Sequence, residues 1–289
     1  VGRFEDARVA DSVDAFARAI LARGLDVVVH ERSGPGPLPD GVRRVADAGF
    51  ADALDLLVAV GGDGTMLYAA QLVIGRPVPL LGINRGRLGF LADVSPAEMT
   101  ASFDAVLAGQ YEQDVRSLLT ARLTAGGAPP RTCHALNDIV IQRYETGRMI
   151  ELATWIGGAF VNSHGGDGLV IATPTGSTAY ALSCGGPIMH PSLDAVVIAP
   201  ISPHTLSNRP IVVRRDSEIE VRLNGRSSSR AQVTFDGTVL GDLEADGRLV
   251  IGPAGETVTL LHPHGHDYYR ILRSKLHLGR SAREAEQPS

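Results

Sequence analysis

Between Asp11 and Gly24 the apolar residues Val13, Phe16, Ala17, Ile20 and Leu21 recur at i, i+3, i+4, i+7 and i+8. That is the spacing of one helix face, with Asp11 or Ser12 placed to cap it and Gly24 just past its end. Short apolar runs follow at Asp26 to His30, Leu54 to Val60 and Val78 to Ile83, each of strand length. Helical segments are expected between them, one from Met66 and one opened by a capping box of Ser95 and Glu98 with Pro96 at the first helical position. Strand and helix in alternation predict a parallel sheet covered on both faces.

Beyond about Tyr111 the period shortens. Apolar strands are predicted at Leu118 to Thr124, Ala135 to Gln142, Ile150 to Ile156, Leu169 to Ala172, Ala195 to Ala199 and Ile211 to Val213. More follow at Ile219 to Leu223, Ala231 to Phe235, Arg248 to Ile251 and Thr257 to Leu261. Strands at this frequency, separated by turn residues, predict a sandwich or barrel-like β domain. A last helical stretch, Tyr268 to Leu278, is placed to pack back on the first domain, and a polar tail follows from Ser281.

Composition narrows the function. Of 289 residues, 44% are apolar and 20% charged, the values of an ordinary folded chain of about two domains. The formal charge of -5 supplies no positive field for a nucleic-acid backbone, and no run reaches the ~18–20 apolar residues of a membrane span. Neither nucleic acid nor membrane is expected as a partner. Two distant cysteines, Cys133 and Cys184, suit buried fillers in a reducing cytoplasm, and the absence of a cationic-plus-apolar leader points the same way. Of the 27 basic side chains only Lys275 is a lysine.

The first candidate for chemistry is the loop Gly61-Gly62-Asp63-Gly64-Thr65, where a buried strand gives way to a helix. In an open parallel sheet ligands bind at that edge. Three glycines permit positive φ and let backbone N–H groups approach a phosphate at the helix's positive end. Asp63 is at odds with a bound anion unless it serves a metal or takes a proton, which makes it the leading functional residue. With a single lysine, phosphate charge falls to amides, arginines and Mg²⁺.

The second candidate is Asp167 to Tyr180, where a strand enters a turn rich in hydroxyls and Ser177 or Thr178 can cap a helix begun at Ala179. Such a turn suits sugar hydroxyls and phosphates, and Tyr180 offers a ring to a heterocycle. Asn137-Asp138 is a polar pair inside an apolar strand, with alternation turning one of them outward. His262, His264 and His266, interrupted by Pro263 and Gly265, read as surface loop residues.

Together these segments resemble the NAD kinase family, whose members phosphorylate the adenosine-ribose 2′-hydroxyl of NAD. The resemblance rests on GGDGT (Gly61 to Thr65), GINRGRLGFL (Gly82 to Leu91), Asn137-Asp138, Asp167 to Ser183, Gly185-Gly186-Pro187, Pro203 to Leu206 and Arg209-Pro210. GGDGT alone is shared with lipid kinases; DG followed by TPTGSTAY is far more specific. The resemblance implies a Rossmann-like α/β domain, 1–112 completed by 268–289, a β-rich sandwich-like domain, 113–267, and a site in the cleft between them. It implies ATP as donor with Mg²⁺, and a homodimer or homotetramer. Asp63 would be the general base; a carboxylate is a weak one, so part of its contribution is orientation. Gly64, Asn137, Asp138, Arg148, Gly165, Asp167 and Thr178 through Ala179, Tyr180, Ala181, Leu182 and Ser183 would contact NAD, with Thr238 at the pocket's edge and Phe90 in its wall. Three positions depart from the pattern: Asp138 replaces the commoner glutamate, Gly165 a frequent basic residue, and Thr238 a frequent glutamine. Two rival functions share the loop, a lipid kinase of the diacylglycerol or sphingosine type and a non-catalytic NAD sensor.

Overall fold

A computed structural model describes the chain except for residues 37, 48, 87, 126, 128, 145–148, 206, 225–229 and 278–289. The elements of the first half are α1 (Ala7–Leu21), β1 (Val28–His30), β2 (Arg43–Val45), β3 (Leu57–Gly61), α2 (Asp63–Val73), β4 (Leu80–Asn84), α3 (Met99–Leu107) and β5 (Tyr111–Thr124). Then come β6 (Arg131–Ala135), β7 (Asp138–Arg143), β8 (Ile150–Ile156), β9 (Ala159–Gly166), β10 (Gly168–Ala172), α4 (Tyr180–Ser183), β11 (Ala195–Ile201) and β12 (Ile211–Arg214). The chain finishes with β13 (Ile219–Asn224), β14 (Arg230–Phe235), β15 (Thr238–Glu244), β16 (Arg248–Pro263) and α5 (Tyr268–Leu276). It forms two compact units, Val1–Val115 with Val258–Ser289, and Arg116–Thr257. The chain leaves the first unit within β5 and returns within β16, so the end of that strand belongs to the first unit along with α5.

In the first unit β3 and β4 pair in parallel from Leu57↔Leu80 to Gly61↔Asn84, and Leu260 and Leu261 of β16 add to the other side of β4. β1 and β2 form a separate parallel pair rather than extending this ladder. Helix α1 starts earlier than its periodicity alone predicts. Asp6, not Asp11 or Ser12, is the cap, accepting from the Arg8 N–H at 2.9 Å, and Ser12 spends its hydroxyl on the Arg8 carbonyl. Val9 thereby joins Val13, Phe16 and Ala17 on the buried stripe, and Phe16 meets Phe103 of α3 edge-on at 5.3 Å. The Ser95 hydroxyl does reach Glu98, at 2.5 Å, but within a turn: α3 begins only at Met99.

The second unit contains two sheets. One runs β12-β11-β10-β7-β14-β15, all antiparallel. The other pairs β13 with β16 and β8, β8 with β9, and β5 with β6. Alternation assigns the faces: Ile139, Ile141, Leu169 and Ile171 enter one core with Leu119, Leu152, Val221 and Leu249, while Val140, Val170 and Ala172 face another with Ala181 and Met189. β7 and β10 are therefore buried on both sides. Each of the Val, Leu, Ile and Met side chains contributes roughly 1.5–3 kcal/mol by leaving water.

Three expectations change. The strand read from Ala135 to Gln142 is broken at Leu136 and Asn137 into β6 and β7; the two runs Arg248 to Ile251 and Thr257 to Leu261 are one long strand, β16. β9 and β15 carried no readable alternation: β9 lies at a sheet edge with Phe160 60% exposed.

Candidate functional site

The candidate residues fall into two groups, one in each unit. In the first, β3 ends on Gly61 and α2 begins at Asp63, so the Asp63 carboxylate sits in the first turn of a helix, where the dipole favours it. The glycines do not work as expected: none of Gly61, Gly62 and Gly64 has positive φ. A Cβ on Gly62 or Gly64 would meet nothing within 4 Å, so their value is open space beside the helix end. Asp63 is held from the segment after β4. Its Oδ2 accepts from the Phe90 N–H at 3.0 Å, and its Oδ1 accepts from Leu91 at 3.0 Å and, more weakly, from Ala92 at 3.4 Å. Gly89 makes this possible, because a Cβ there would lie 2.1 Å from Oδ1. The side chain remains 30% exposed, and the ammonium of Lys275 stands 3.5 Å from Oδ2. Phe90 lies under that ammonium, 4.8 Å from its ring centre.

In the second unit the hydroxyl-rich turn is spent mostly on itself. Thr173 donates to the Leu136 carbonyl and accepts from the Gly176 N–H; Ser177, fully buried, donates to Pro174 and accepts from the Met189 N–H. Thr175 accepts from the buried Arg116, and Thr178 donates to the Thr175 carbonyl. Neither Ser177 nor Thr178 caps a helix: Gly176 to Thr178 is a 3₁₀ turn, and the one-turn α4 follows without a side-chain cap. Gly176 has no room for a side chain, a Cβ there falling 2.1 Å from the Asn137 carbonyl. What the turn presents outward is half-buried Ala179 and Leu182 and exposed Tyr180 and Ser183, with Ala181 in the core.

Asn137 and Asp138 sit where β6 gives way to β7, and a residue about a hundred positions away arranges them. Asp236 accepts from the N–H groups of Leu136, Asn137 and Asp138 at 2.8, 2.8 and 3.2 Å. The half-buried Asn137 side chain makes no hydrogen bond among the described residues, whereas Asp138 is only 6% exposed. Burial first, and the Asp236 carboxylate second, push the Asp138 carboxyl up to about 7. Asp167 is paired with Arg143 at 2.5 Å. Gly165 lies in β9 with open space above it, and Thr238 opens β15, exposed, just past the Asp236-Gly237 turn. Arg148 lies outside the described residues.

The Asp138 shift has a sign that can be checked. A carboxyl whose folded pKa exceeds its unfolded one weakens the fold when ionised, above pH 7, and that cost disappears as pH falls toward 4. Asp138→Asn is expected to stabilise the protein by about 1–3 kcal/mol at pH 8 and by nothing near pH 4. Urea unfolding at the two pH values reads the difference; equal stability of parent and variant at pH 8 would contradict it.

The histidines at the end of β16 are not all surface residues. His262 is 1% exposed, stacks on His266 at 3.7 Å, and both Nδ1 atoms meet Asp93 Oδ2, at 3.0 and 2.7 Å. Only His264 is largely open. Burial works against the His262 charge, but Asp114 and Asp93 outweigh it and raise the imidazole to about 9; Asp93, also opposed by burial, is drawn down to about 2 by the two histidines. Asp93, His262 and His266 bring donor atoms within 4.8 Å of one another, close enough for a metal ion, yet here the imidazoles spend Nδ1 on the carboxylate. Both cysteines are free, with Cys133 pushed up to about 12 by burial. No helix among the described residues is long and apolar enough to cross a membrane.

Known proteins resemble this chain along nearly its whole length. Residues 9–111 match the ATP-NAD kinase N-terminal domain and residues 136–262 the ATP-NAD kinase C-terminal domain. An NAD kinase of Methylococcus capsulatus is 43% identical over 276 residues, 96% of this chain and 95% of that protein. One of Thiobacillus denitrificans is 44% identical over 284 residues, 97% and 96% of the two chains. Among solved structures, an NAD kinase from Archaeoglobus fulgidus in complex with ATP matches with a TM-score of 0.70 at 26% identity, over 92% of this chain and 94% of that one. Yeast NADH kinase complexed with NADH has the same fold, with a TM-score of 0.84 at 24% identity over 93% and 85%. By identity along nearly its whole length, the chain belongs to the NAD kinase family.

Proposed function

We propose that this chain transfers the γ-phosphoryl group of ATP to the 2′-hydroxyl of the adenosine ribose of NAD, with Asp63 taking the hydroxyl proton. The ribose oxygen forms the new bond to phosphorus as the bond to the ADP oxygen breaks, and the proton goes to a carboxylate oxygen. Catalysis of this kind is mostly positioning and charge neutralisation. The observation that carries the reading is the posture of Asp63: partly exposed at a helix N-terminus, gripped by the Phe90 and Leu91 amides, with open space over Gly62 and Gly64.

Asn137, Asp138, Asp167, Gly165, Thr238, Arg148 and the Thr178 to Ser183 segment, with Gly64 and Phe90, would hold NAD; Gly61, Gly62 and Thr65 would shape the phosphate loop. Mg²⁺ would arrive on the phosphates of the nucleotide. Asp63 is ringed by N–H donors and an ammonium, surroundings that suit an anion's partner poorly as a cation ligand, so no residue of this chain is assigned to the metal. The enzyme would act in the cytoplasm as a homodimer or homotetramer, with the exposed Phe160 and Val161 of edge strand β9 as a surface for a second copy.

Incubation with NAD, ATP and Mg²⁺ is expected to yield NADP. NAD binding without turnover would favour a sensor, and phosphorylation of a diacylglycerol or sphingosine substrate instead would favour a lipid kinase. Substituting NADH or polyphosphate in the same assay reads acceptor and donor choice.

A further inference from the structure

We propose that Lys275 is a positioning residue for the Asp63 carboxylate: it supplies a matching charge while leaving a lone pair of Oδ2 free for the substrate hydroxyl. The inference rests on the reading of Asp63 as the proton acceptor. Twenty-seven basic side chains serve this chain and one alone is lysine. It lies on α5 four residues after Ile271 and three after Leu272, on the helix face that those two bury, while Arg273 and Ser274 point to solvent. The periodicity that packs α5 therefore also turns this cation inward. The Asp267 cap fixes where the helix starts, accepting from the Tyr269 and Arg270 N–H groups, and His266, next to that cap, is tied to Asp93. Asp93 in turn directly follows Phe90 to Ala92, whose N–H groups grip Asp63. Both segments flanking the carboxylate are thus anchored by one histidine–aspartate cluster, in which His262 is buried and Asp93 and His266 are partly so.

The distances explain why the residue is lysine. Oδ1 already accepts two N–H groups and Oδ2 one. At 3.5 Å the ammonium balances the charge but is beyond the ~2.7–2.9 Å of a charge-assisted hydrogen bond, so it does not occupy the remaining lone pair. The Phe90 ring, 4.8 Å from the ammonium, holds it back from a closer approach. A guanidinium would bring a planar fork of donors, suited to binding carboxylate oxygens side by side and closing off the acceptor.

The test is a double-mutant cycle on turnover with saturating NAD and ATP. Lys275→Met is expected to lower kcat by at least ~10-fold with KM for NAD within about twofold, and Lys275→Arg, which keeps charge and bulk, to lose a comparable factor. On an Asp63→Asn background Lys275→Met should change kcat by less than about twofold, since its partner is gone. Thermal unfolding of each variant identifies any that fails to fold, and Lys275→Arg carries the test if the methionine variant does. Full turnover in Lys275→Arg, or a loss that persists undiminished on the Asp63→Asn background, overturns the role of Lys275 alone. Full turnover in Asp63→Asn overturns the reading of Asp63 and this role with it.

Discussion

Asp63→Asn is expected to reduce turnover by about 10²-fold or more while KM for NAD stays within a small factor. Asparagine has nearly the same shape, so the cradle over Gly89 should remain filled. What disappears is a group able to take a proton. The structure adds a second consequence. Phe90 donates to one oxygen and Leu91 and Ala92 to the other, so the amide's NH₂ must face an N–H that formerly had an acceptor. That mismatch costs about 1–3 kcal/mol and should lower the melting temperature by a few degrees. Measuring turnover well below the melting temperature separates the two effects. Turnover equal to that of the parent would remove Asp63 from the chemistry.

The largest effect on stability is expected at Asp236. Its carboxylate accepts from three successive N–H groups at the break between β6 and β7, and Asp236 and Gly237 themselves form a two-residue hairpin with φ of 45° and 79°. Asp236→Ala removes the acceptor and places alanine in the left-handed region, at a cost of about 4 kcal/mol or more. Asp236→Asn keeps a residue at ease in that conformation, so it isolates the hydrogen bonds: one N–H faces an NH₂, for about 2–3 kcal/mol. The asparagine penalty should also vary with pH. Above pH 7 Asp138 is ionised and loss of the Asp236 charge relieves repulsion; near pH 5 Asp138 is protonated and no relief is available, so the penalty is greater there. Urea unfolding of the asparagine variant at pH 5.5 and 8 gives both numbers, and parent-like stability at both would refute the clamp.

What could be read from the residue order, and what could not, follows from where the information lies. The strand Ile150 to Ile156 is found to the residue, because it is an apolar run of strand length whose Ile150 and Leu152 enter one core with Ile156 packed against it. The GGDGT segment falls at a strand-to-helix junction as its glycines and flanking periodicity imply. β9 was invisible: Ala159 to Val161 are exposed and the strand ends in glycines, so no buried face imprints a pattern. His-Pro-His-Gly-His has the composition of a surface loop, and the partners that accompany the burial of His262, Asp93 and Asp114, lie more than 140 positions away. The break at Asn137 has the same origin, its cause being a carboxylate on another hairpin. Lys275 was conspicuous by rarity, yet rarity does not name a partner; the contact with Asp63 does.

The division of the chain bears on the order of synthesis. The β-rich unit is one continuous stretch, Arg116–Thr257, whereas the first unit is closed only by Val258–Ser289. Until Leu260 and Leu261 emerge, Leu80 and Leu81 of β4 have an unoccupied flank, and until α5 follows, the Asp63 carboxylate lacks the Lys275 ammonium. The unit encoded first is completed last: a nascent chain halted short of Val258 carries Asp63 without the strand and helix that close its unit.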